Sequence, residues 1–164
     1  MRPERVEPSA AQESVWDYPR PPRLERTASR LTVSLGGVTV AESTRALRVL
    51  ETSHPPVYYF PPGDVLVGAL RPAPGRSFCE YKGLAVYWTV GAGDLAAEAA
   101  AWSYPAPAAP YRMMVDHVAF YCGRMSRCTV DGETARPQPG GFYGGWVTSG
   151  VVGPFKGEPG TGDW

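Results

Sequence analysis

The chain has 164 residues and equal numbers of basic and acidic side chains, so its formal net charge is zero. A chain of this length suits one domain and can bury about two thirds of the surface that it exposes when unfolded. Because the net charge is zero, no overall electrostatic field attracts nucleic acid or an acidic membrane. A membrane-spanning helix needs about 18 uninterrupted apolar residues, and no stretch of the chain approaches that length. We therefore expect neither a nucleic-acid nor a membrane partner.

The aromatic and cysteine content predicts a folded protein with reduced thiols. Glycine and proline are abundant, but five tryptophans and nine tyrosines are more than a disordered chain carries. The chain has an odd number of cysteines, Cys79, Cys122 and Cys128, and their spacing shows no disulfide framework. Because the N-terminal residues also lack an apolar core of signal-peptide length, we expect a cytoplasmic location.

The N-terminal part is predicted to be a polar arm followed by β-structure. Residues 1–24 form the Pro-rich arm, and Trp16 and Tyr18 are the side chains that would pin it to the body. Apolar and polar residues alternate through residues 31–41 on both sides of a Gly-Gly pair, which predicts a β-hairpin. Residues 43–51 are predicted as a short helical turn.

Prolines shape the next segments. Residues 57–60 lie between two Pro-Pro pairs and are predicted as a short strand near an edge or a bend. Pro62 and Asp64 favour a helical turn directly after it. Residues 71–77, RPAPGRS, are predicted as a loop.

Strands and turns alternate in the second half. Residues 78–90 are predicted as a pair of strands or as one bent strand, with a turn at residues 91–94. For residues 95–104, the alanines favour a helix and the aromatic residues a strand, and both alternatives stay open. Residues 118–122 are predicted as a strand, and residues 127–133 as a strand that ends in an Asp-Gly turn.

The C-terminal extension, residues 137–164, is rich in glycine but carries several aromatic rings. We predict that these rings pack on the body of the domain, residues 25–136, or on a second chain. Short strands, many turns and few helices together predict a mostly-β fold.

No metal site and no cofactor are predicted. The candidate ligands His54, His117 and the three cysteines include no Cys-x-x-Cys and no His pair at helical spacing, whereas structural zinc usually needs four ligands in close pairs. The glycine pairs lack the strand-loop-helix context and the Lys-Ser/Thr of a phosphate-binding loop.

Residues 77–88, SFCEYKGLAVYW, carry the chain's densest chemistry. Cys79 and Lys82 are the candidate catalytic residues, because a thiol nucleophile needs a cation or base that lowers its pKa. In a continuous strand these two side chains would face opposite ways. A bend at Gly83 would let them meet; otherwise Cys79 is a structural or pocket-lining thiol.

Lys82 also stands among aromatic residues, which suits a site for a small anionic or aromatic molecule. Both lysines of the chain, Lys82 and Lys156, follow an aromatic residue and precede a glycine. The alternative is a surface lysine whose stem covers aromatic rings.

Several strings of the sequence resemble one family. They are, in order, RALRVLETSHPPVYYFPPGDV, SFCEYKGLAVYW, AAAWSYPAP, DHVAFYCGRM and RPQPGGFYGGWVTSGVVGPFKG. Together they resemble the bacterial and fungal family of domain of unknown function 427, also labelled nucleotidyltransferase-like, over residues 19–164. The resemblance implies a β-tent fold, two antiparallel sheets that meet at one end, with short helical turns. The resemblance does not imply a zinc site here, because the Cys-x-x-Cys knuckles of related domains are missing. It does not imply nucleotidyl transfer either, because no Gly-Ser precedes paired acidic residues.

Two hypotheses about function follow. By the family pattern, the matching positions are Tyr58, Asp64, Cys79, Lys82, Gly83, Tyr87, Trp102, Tyr104 and Pro105. The first hypothesis is a small-molecule-binding domain, with or without catalysis, whose cleft between the sheets is lined by Tyr58, Asp64, Cys79, Lys82, Tyr87, Trp88, Trp102 and Tyr104. The second is a non-catalytic interaction or homodimerisation module that uses the aromatic C-terminal extension.

Overall fold

Short strands and tight turns make up most of the protein. The structure, a computed structural model, describes residues 2–164, which contain fifteen strands, four 3-10 helical turns and no α-helix. The helical turns are Val15–Asp17, Pro62–Asp64, Ala109–Met114 and Cys122–Arg124. The strands are β1 (Glu13–Ser14), β2 (Arg23–Arg26), β3 (Leu31–Leu35), β4 (Val38–Ser43), β5 (Leu47–Leu50), β6 (Val57–Tyr59), β7 (Leu70–Cys79), β8 (Gly83–Ala92), β9 (Leu95–Ser103), β10 (Val118–Phe120), β11 (Arg127–Val130), β12 (Glu133–Thr134), β13 (Arg136–Pro137), β14 (Trp146–Val147) and β15 (Val151–Val152). The predicted mostly-β class is confirmed.

Most strands belong to three antiparallel sheets. Sheet I has the order β10-β9-β8-β7, sheet II the order β12-β11-β3-β4, and sheet III the order β2-β5-β6. The remaining strands form the parallel pair β1 and β15 and the antiparallel pair β13 and β14. Phe60, directly after β6, exchanges backbone hydrogen bonds of 2.8 and 2.9 Å with Val118 of β10, which joins sheet III to sheet I.

Several predicted elements of the N-terminal half are confirmed. The hairpin over residues 31–41 is formed by β3 and β4, with Leu35 opposite Val38 across the glycine pair. Strand β6 lies at the edge of sheet III, as its flanking prolines indicated, and the helical turn Pro62–Asp64 follows it.

The helical turn predicted for residues 43–51 is wrong, because residues 47–50 are the central strand of sheet III. Leu47 and Val49 alternate onto one apolar face there. Pairing on both sides outweighs the weak local preference of a short segment.

The loop predicted for residues 71–77 is also wrong, since these residues belong to β7. Strand β7 is the outer strand of sheet I, and its register shifts between Ala73 and Arg76. An edge position and a bulge are where a strand tolerates proline. For residues 78–90 the two-strand alternative is correct, and for residues 95–104 the strand is.

Alternation along the strands separates two apolar clusters. Tyr58 and Ala101 belong to the main core, which also holds Phe60 and Phe120. Their chain neighbours Tyr59 and Trp102 belong to a second cluster. Because successive side chains of a strand point to opposite faces, this second cluster lies on the other side of the sheets, where the candidate site is found.

Both terminal segments pack on the strands. Trp146 is 1 % exposed, and its ring nitrogen donates a hydrogen bond of 3.0 Å to the carbonyl oxygen of Phe120. Trp16 meets Trp164 edge to face, with ring centroids 5.5 Å apart. Phe142 differs from these rings, since 68 % of it is exposed. Within residues 2–164, no helix has the length and apolar character that crossing a membrane requires.

Candidate ligand-binding site

A cavity of about 370 Å³ lies over the second apolar cluster. Sheet III, the end of β7, the following turn, β9 and two C-terminal segments form its walls. The lining residues are Val49, Glu51, His54, Val57, Tyr59, Ser77, Phe78, Cys79, Glu80, Tyr81, Lys82, Tyr87, Trp102, Tyr104, Tyr121, Gln138, Phe142, Tyr143, Gly144 and Lys156. Its size falls within the range of small-molecule sites, about 300–1,000 Å³.

The turn between β7 and β8 brings Cys79 and Lys82 to this one cavity. Cys79 is the last residue of β7 and pairs with Gly83, the first of β8, so three residues form the turn. Gly83 has a φ of 111°, which a residue with a Cβ rarely adopts. The carbonyl oxygen of Lys82 accepts a hydrogen bond of 2.9 Å from the N–H of Ala108, which ties the turn to the loop after β9.

The ammonium group of Lys82, a residue that lines the cavity, has no counter-ion among residues 2–164. Lys82 is 8 % exposed. Among residues 2–164 its Nζ has no hydrogen bond and no ion pair. The ring of Tyr104, with its centroid 5.9 Å from Nζ, is its aromatic neighbour. The stem of Lys82 is thus mostly buried, while its ammonium stays accessible from the cavity and is available to a ligand.

A second lysine, Lys156, also lines the cavity. The Nζ of Lys156 lies 5.5 Å from the centroid of the Tyr143 ring. It also donates a hydrogen bond of 3.3 Å to the carbonyl oxygen of Trp164. Both lysines of the chain therefore line the same cavity.

Aromatic rings form most of the cavity floor. The ring nitrogen of Trp102 donates to the hydroxyl of Tyr59 at 3.3 Å, and the ring centroid of Tyr121 lies 4.6 Å from that of Trp102. Burial raises the pKa of Tyr59 and Tyr104 well above the usual range and that of Tyr121 to about 12. These phenols are therefore neutral at physiological pH and offer apolar faces and hydroxyl groups.

His54 is an uncharged polar residue of the cavity wall. It is 7 % exposed, and its Nδ1 lies 3.0 Å from the side-chain amide nitrogen of Gln138. Its Nε2 lies 3.5 Å from a carboxylate oxygen of Glu51. Burial, together with the positive charges of Lys156, Arg20 and Lys82, lowers the pKa of His54 to about 3. The imidazole thus carries no charge at neutral pH.

A glycine-rich strap, residues 139–145, closes one side of the cavity. A Cβ on Gly144 would overlap the ring of Trp102, so only a residue without a side chain allows the backbone to lie this close to the indole. The hydroxyl of Tyr121 donates a hydrogen bond of 3.0 Å to the carbonyl oxygen of Phe142, which holds the strap in place.

Five of the residues predicted for the site line this cavity: Cys79, Lys82, Tyr87, Trp102 and Tyr104. The structure places the other three elsewhere. Tyr58 faces the main core, where its ring centroid lies 5.2 Å from that of Trp146. Trp88 also packs against the main core and donates from its ring nitrogen to the hydroxyl of Ser103 at 2.9 Å.

Asp64 lies in an ion pair outside the cavity. Its carboxylate accepts hydrogen bonds of 3.0 and 3.1 Å from Arg45 and one of 2.6 Å from the hydroxyl of Ser43. The hydrogen bond from Arg45 is the main cause of the lowered pKa of Asp64. This arrangement fixes the helical turn after β6 to the end of β4.

Sequence reasoning missed His54, Gln138, Lys156, Tyr59 and Tyr121 as cavity residues. The repeated aromatic-Lys-Gly triplet singles out Lys156, but His54 enters the sequence analysis only as a candidate metal ligand. Within residues 2–164, no three His, Cys, Asp or Glu side chains cluster as a metal site would require.

Residues 23–131 match the family model described as Domain of unknown function (DUF427). The chain belongs to this family. The predicted resemblance is thereby confirmed. The matched residues include Cys79 and Lys82 but end before Gln138 and Lys156, so the cavity combines family residues with side chains from the C-terminal extension. No curated protein matches the chain.

Proposed function

We propose that the protein binds a small aromatic anion in this cavity, with the acidic group on Lys82 and the ring against the aromatic floor. The observation that carries the proposal is the ammonium of Lys82, a cavity-lining residue, which has no ion pair or hydrogen bond among residues 2–164. A bound anion would supply the partner that the chain itself does not.

The other charges of the cavity are compatible with an anion. Lys156 adds a second ammonium, and His54 is neutral. Glu51 is the carboxylate nearest to His54, and its charge is balanced by Arg20, whose Nη2 lies 3.3 Å from Oε2. Glu80 is exposed in the turn after β7, where water screens its charge.

The aromatic floor supports a ring on the ligand. Trp102, Tyr104 and Tyr121 present faces and edges on which a planar group can stack or pack edge to face. Phe78 and Phe142, 75 % and 68 % exposed, also line the cavity, so both have open space to move onto a bound ring.

Thermal unfolding with four matched benzene derivatives tests this proposal. Benzoate and phenyl phosphate carry the anion, and benzylamine and benzyl alcohol are the cationic and neutral controls. We expect the two anions to raise the melting temperature in a concentration-dependent way, since a ligand that binds only the folded state stabilises it. Equal shifts with all four compounds, or none with the anions, would overturn the proposal.

Lys82→Met and Arg71→Met are the matched variants for the same assay. Methionine keeps an unbranched side chain at position 82 and removes the charge. Lys82→Met should lower the affinity for benzoate by about tenfold or more, as expected for one hydrogen bond to a charged group. Arg71 is an exposed cation of β7 that does not line the cavity, so Arg71→Met should bind as the wild type does.

A further inference from the structure

The side-chain amide of Gln138 has only one orientation that satisfies its backbone neighbours. Gln138 is 2 % exposed. Its Oε1 accepts a hydrogen bond of 3.1 Å from the N–H of Gly145, and its Nε2 donates one of 2.8 Å to the carbonyl oxygen of Lys156. A backbone N–H can only donate and a backbone carbonyl can only accept, so exchanging the amide atoms would break both bonds.

This orientation determines which nitrogen of His54 carries the proton. The second hydrogen of the Gln138 amide points to Nδ1 of His54, at an N···N distance of 3.0 Å. Nδ1 must therefore accept, and the proton of the neutral ring lies on Nε2. A general base needs a lone pair toward its substrate, and in this tautomer Nε2 has none.

The Nε2–H group is left without a strong partner. Oε2 of Glu51 lies 3.5 Å from Nε2, beyond the usual hydrogen-bond distances, and that oxygen also lies 3.3 Å from Nη2 of Arg20. The charged groups that act on the imidazole are Lys82, Lys156, Arg20 and Glu51, and the three cations outnumber the one carboxylate. The surroundings thus favour the neutral ring.

We propose that neutral His54 donates its Nε2–H to an acceptor oxygen of the ligand and that Gln138 is the positioning residue that holds this tautomer. This inference rests on the proposed anion site. Lys82 would bind the acidic group, and His54 would donate to a second acceptor oxygen of the ligand, such as a carbonyl. The ligand class is then an aromatic acid with an oxo group close to its carboxylate, rather than an unsubstituted aromatic acid.

The tautomer can be tested without any ligand by ¹⁵N-¹H NMR of the histidine rings. The chain has two histidines, so the spectrum of His117→Gln assigns the signals of His54. We expect a neutral ring with the proton on Nε2 at pH 7 and no protonation between pH 8 and pH 5. A proton on Nδ1, or a charged ring at pH 7, would overturn the role of Gln138. Gln138→Glu, which puts an acceptor opposite Nδ1, should move the proton to Nδ1.

Two aromatic acids that differ in one carbonyl test the donor role. Benzoylformate has an oxo group beside its carboxylate, and phenylacetate has a methylene there. The wild type should bind benzoylformate about fivefold more tightly, as one neutral hydrogen bond allows, and His54→Phe should bind both alike. Equal binding by the wild type would overturn the donor role and leave the anion site intact. Binding of neither acid would overturn both.

Discussion

The backbone of Gly144 lies against the indole ring of Trp102, with no room between them for a side chain on Gly144. Trp102 lies on β9 in sheet I and Gly144 in the C-terminal strap, so this contact joins the sheet to the segment that closes the cavity. The shape of the site therefore depends on a residue that no strand contains.

Gly144→Ala should destabilise the protein and deform the cavity wall. The new methyl group would overlap the Trp102 ring, and such overpacking costs about 1–3 kcal/mol. Urea unfolding followed by tryptophan fluorescence measures the loss. Gly150→Ala is the control, because a Cβ there meets only the Thr148 hydroxyl at 3.6 Å, an ordinary contact. Similar unfolding free energies for the two variants would contradict the close packing of the strap.

Lys82→Met should leave the unfolding free energy within about 0.5 kcal/mol of the wild-type value. The reason is that the Lys82 ammonium makes no hydrogen bond or ion pair among residues 2–164 that the variant would lose. Lys156→Met is the comparison, since the Lys156 ammonium donates a hydrogen bond of 3.3 Å that the variant loses. Urea unfolding at pH 7 without ligand measures both. A Lys82→Met protein that is clearly less stable than the wild type would show that the charge is compensated.

The local elements were largely predictable from sequence. The β3–β4 hairpin follows from strict alternation around a glycine pair, and β6 from its flanking prolines. Both patterns act over a few residues. Strand β5 was missed because its stability comes from pairing with β2 and β6, partners that lie before and after it in the chain.

The sequence does not predict which of two adjacent strand residues faces the cavity. Tyr58 and Tyr59 are adjacent, and so are Tyr87 and Trp88, yet only Tyr59 and Tyr87 line the cavity. Alternation establishes that such neighbours diverge, but which one faces the cavity depends on how the sheets pack. Gln138 was missed for a related reason, since it meets His54 only after the C-terminal extension folds back on sheet III.

The stability of the protein should fall with acid through His54. Burial lowers the pKa of His54 from 6.5 to about 3 in the folded state. Between those values the unfolded chain binds a proton that the folded chain does not, so acid favours unfolding. This residue alone should lower the unfolding free energy by about 1.4 kcal/mol per pH unit through that window. The quantity to measure is the difference between the wild type and His54→Gln from pH 6.5 to 4.5, and parallel pH profiles would contradict the shift.

The three thiols should differ sharply in reactivity. Cys122 and Cys128 are 8 % and 1 % exposed and belong to the main core, whereas Cys79 is half-buried and lines the cavity. Hydrogen bonding to Cys122 and burial also raise the pKa of Cys128, which reduces its thiolate content. A small disulfide reagent should therefore modify one thiol per chain in the native protein and all three in urea.

The Cys79→Ser variant tests whether Cys79 is the thiol that reacts in the native protein. It should show no fast reaction in the native state, because the thiols that remain are in the core. Benzoate should slow the reaction of Cys79 in the wild type, since a bound ring in the cavity would stand between the reagent and the thiol. Unaltered labelling at saturating benzoate would place the ligand away from the turn between β7 and β8. Rapid labelling of a second thiol in the native protein would instead contradict the burial of the pair Cys122 and Cys128, and so the packing of sheet II on the core.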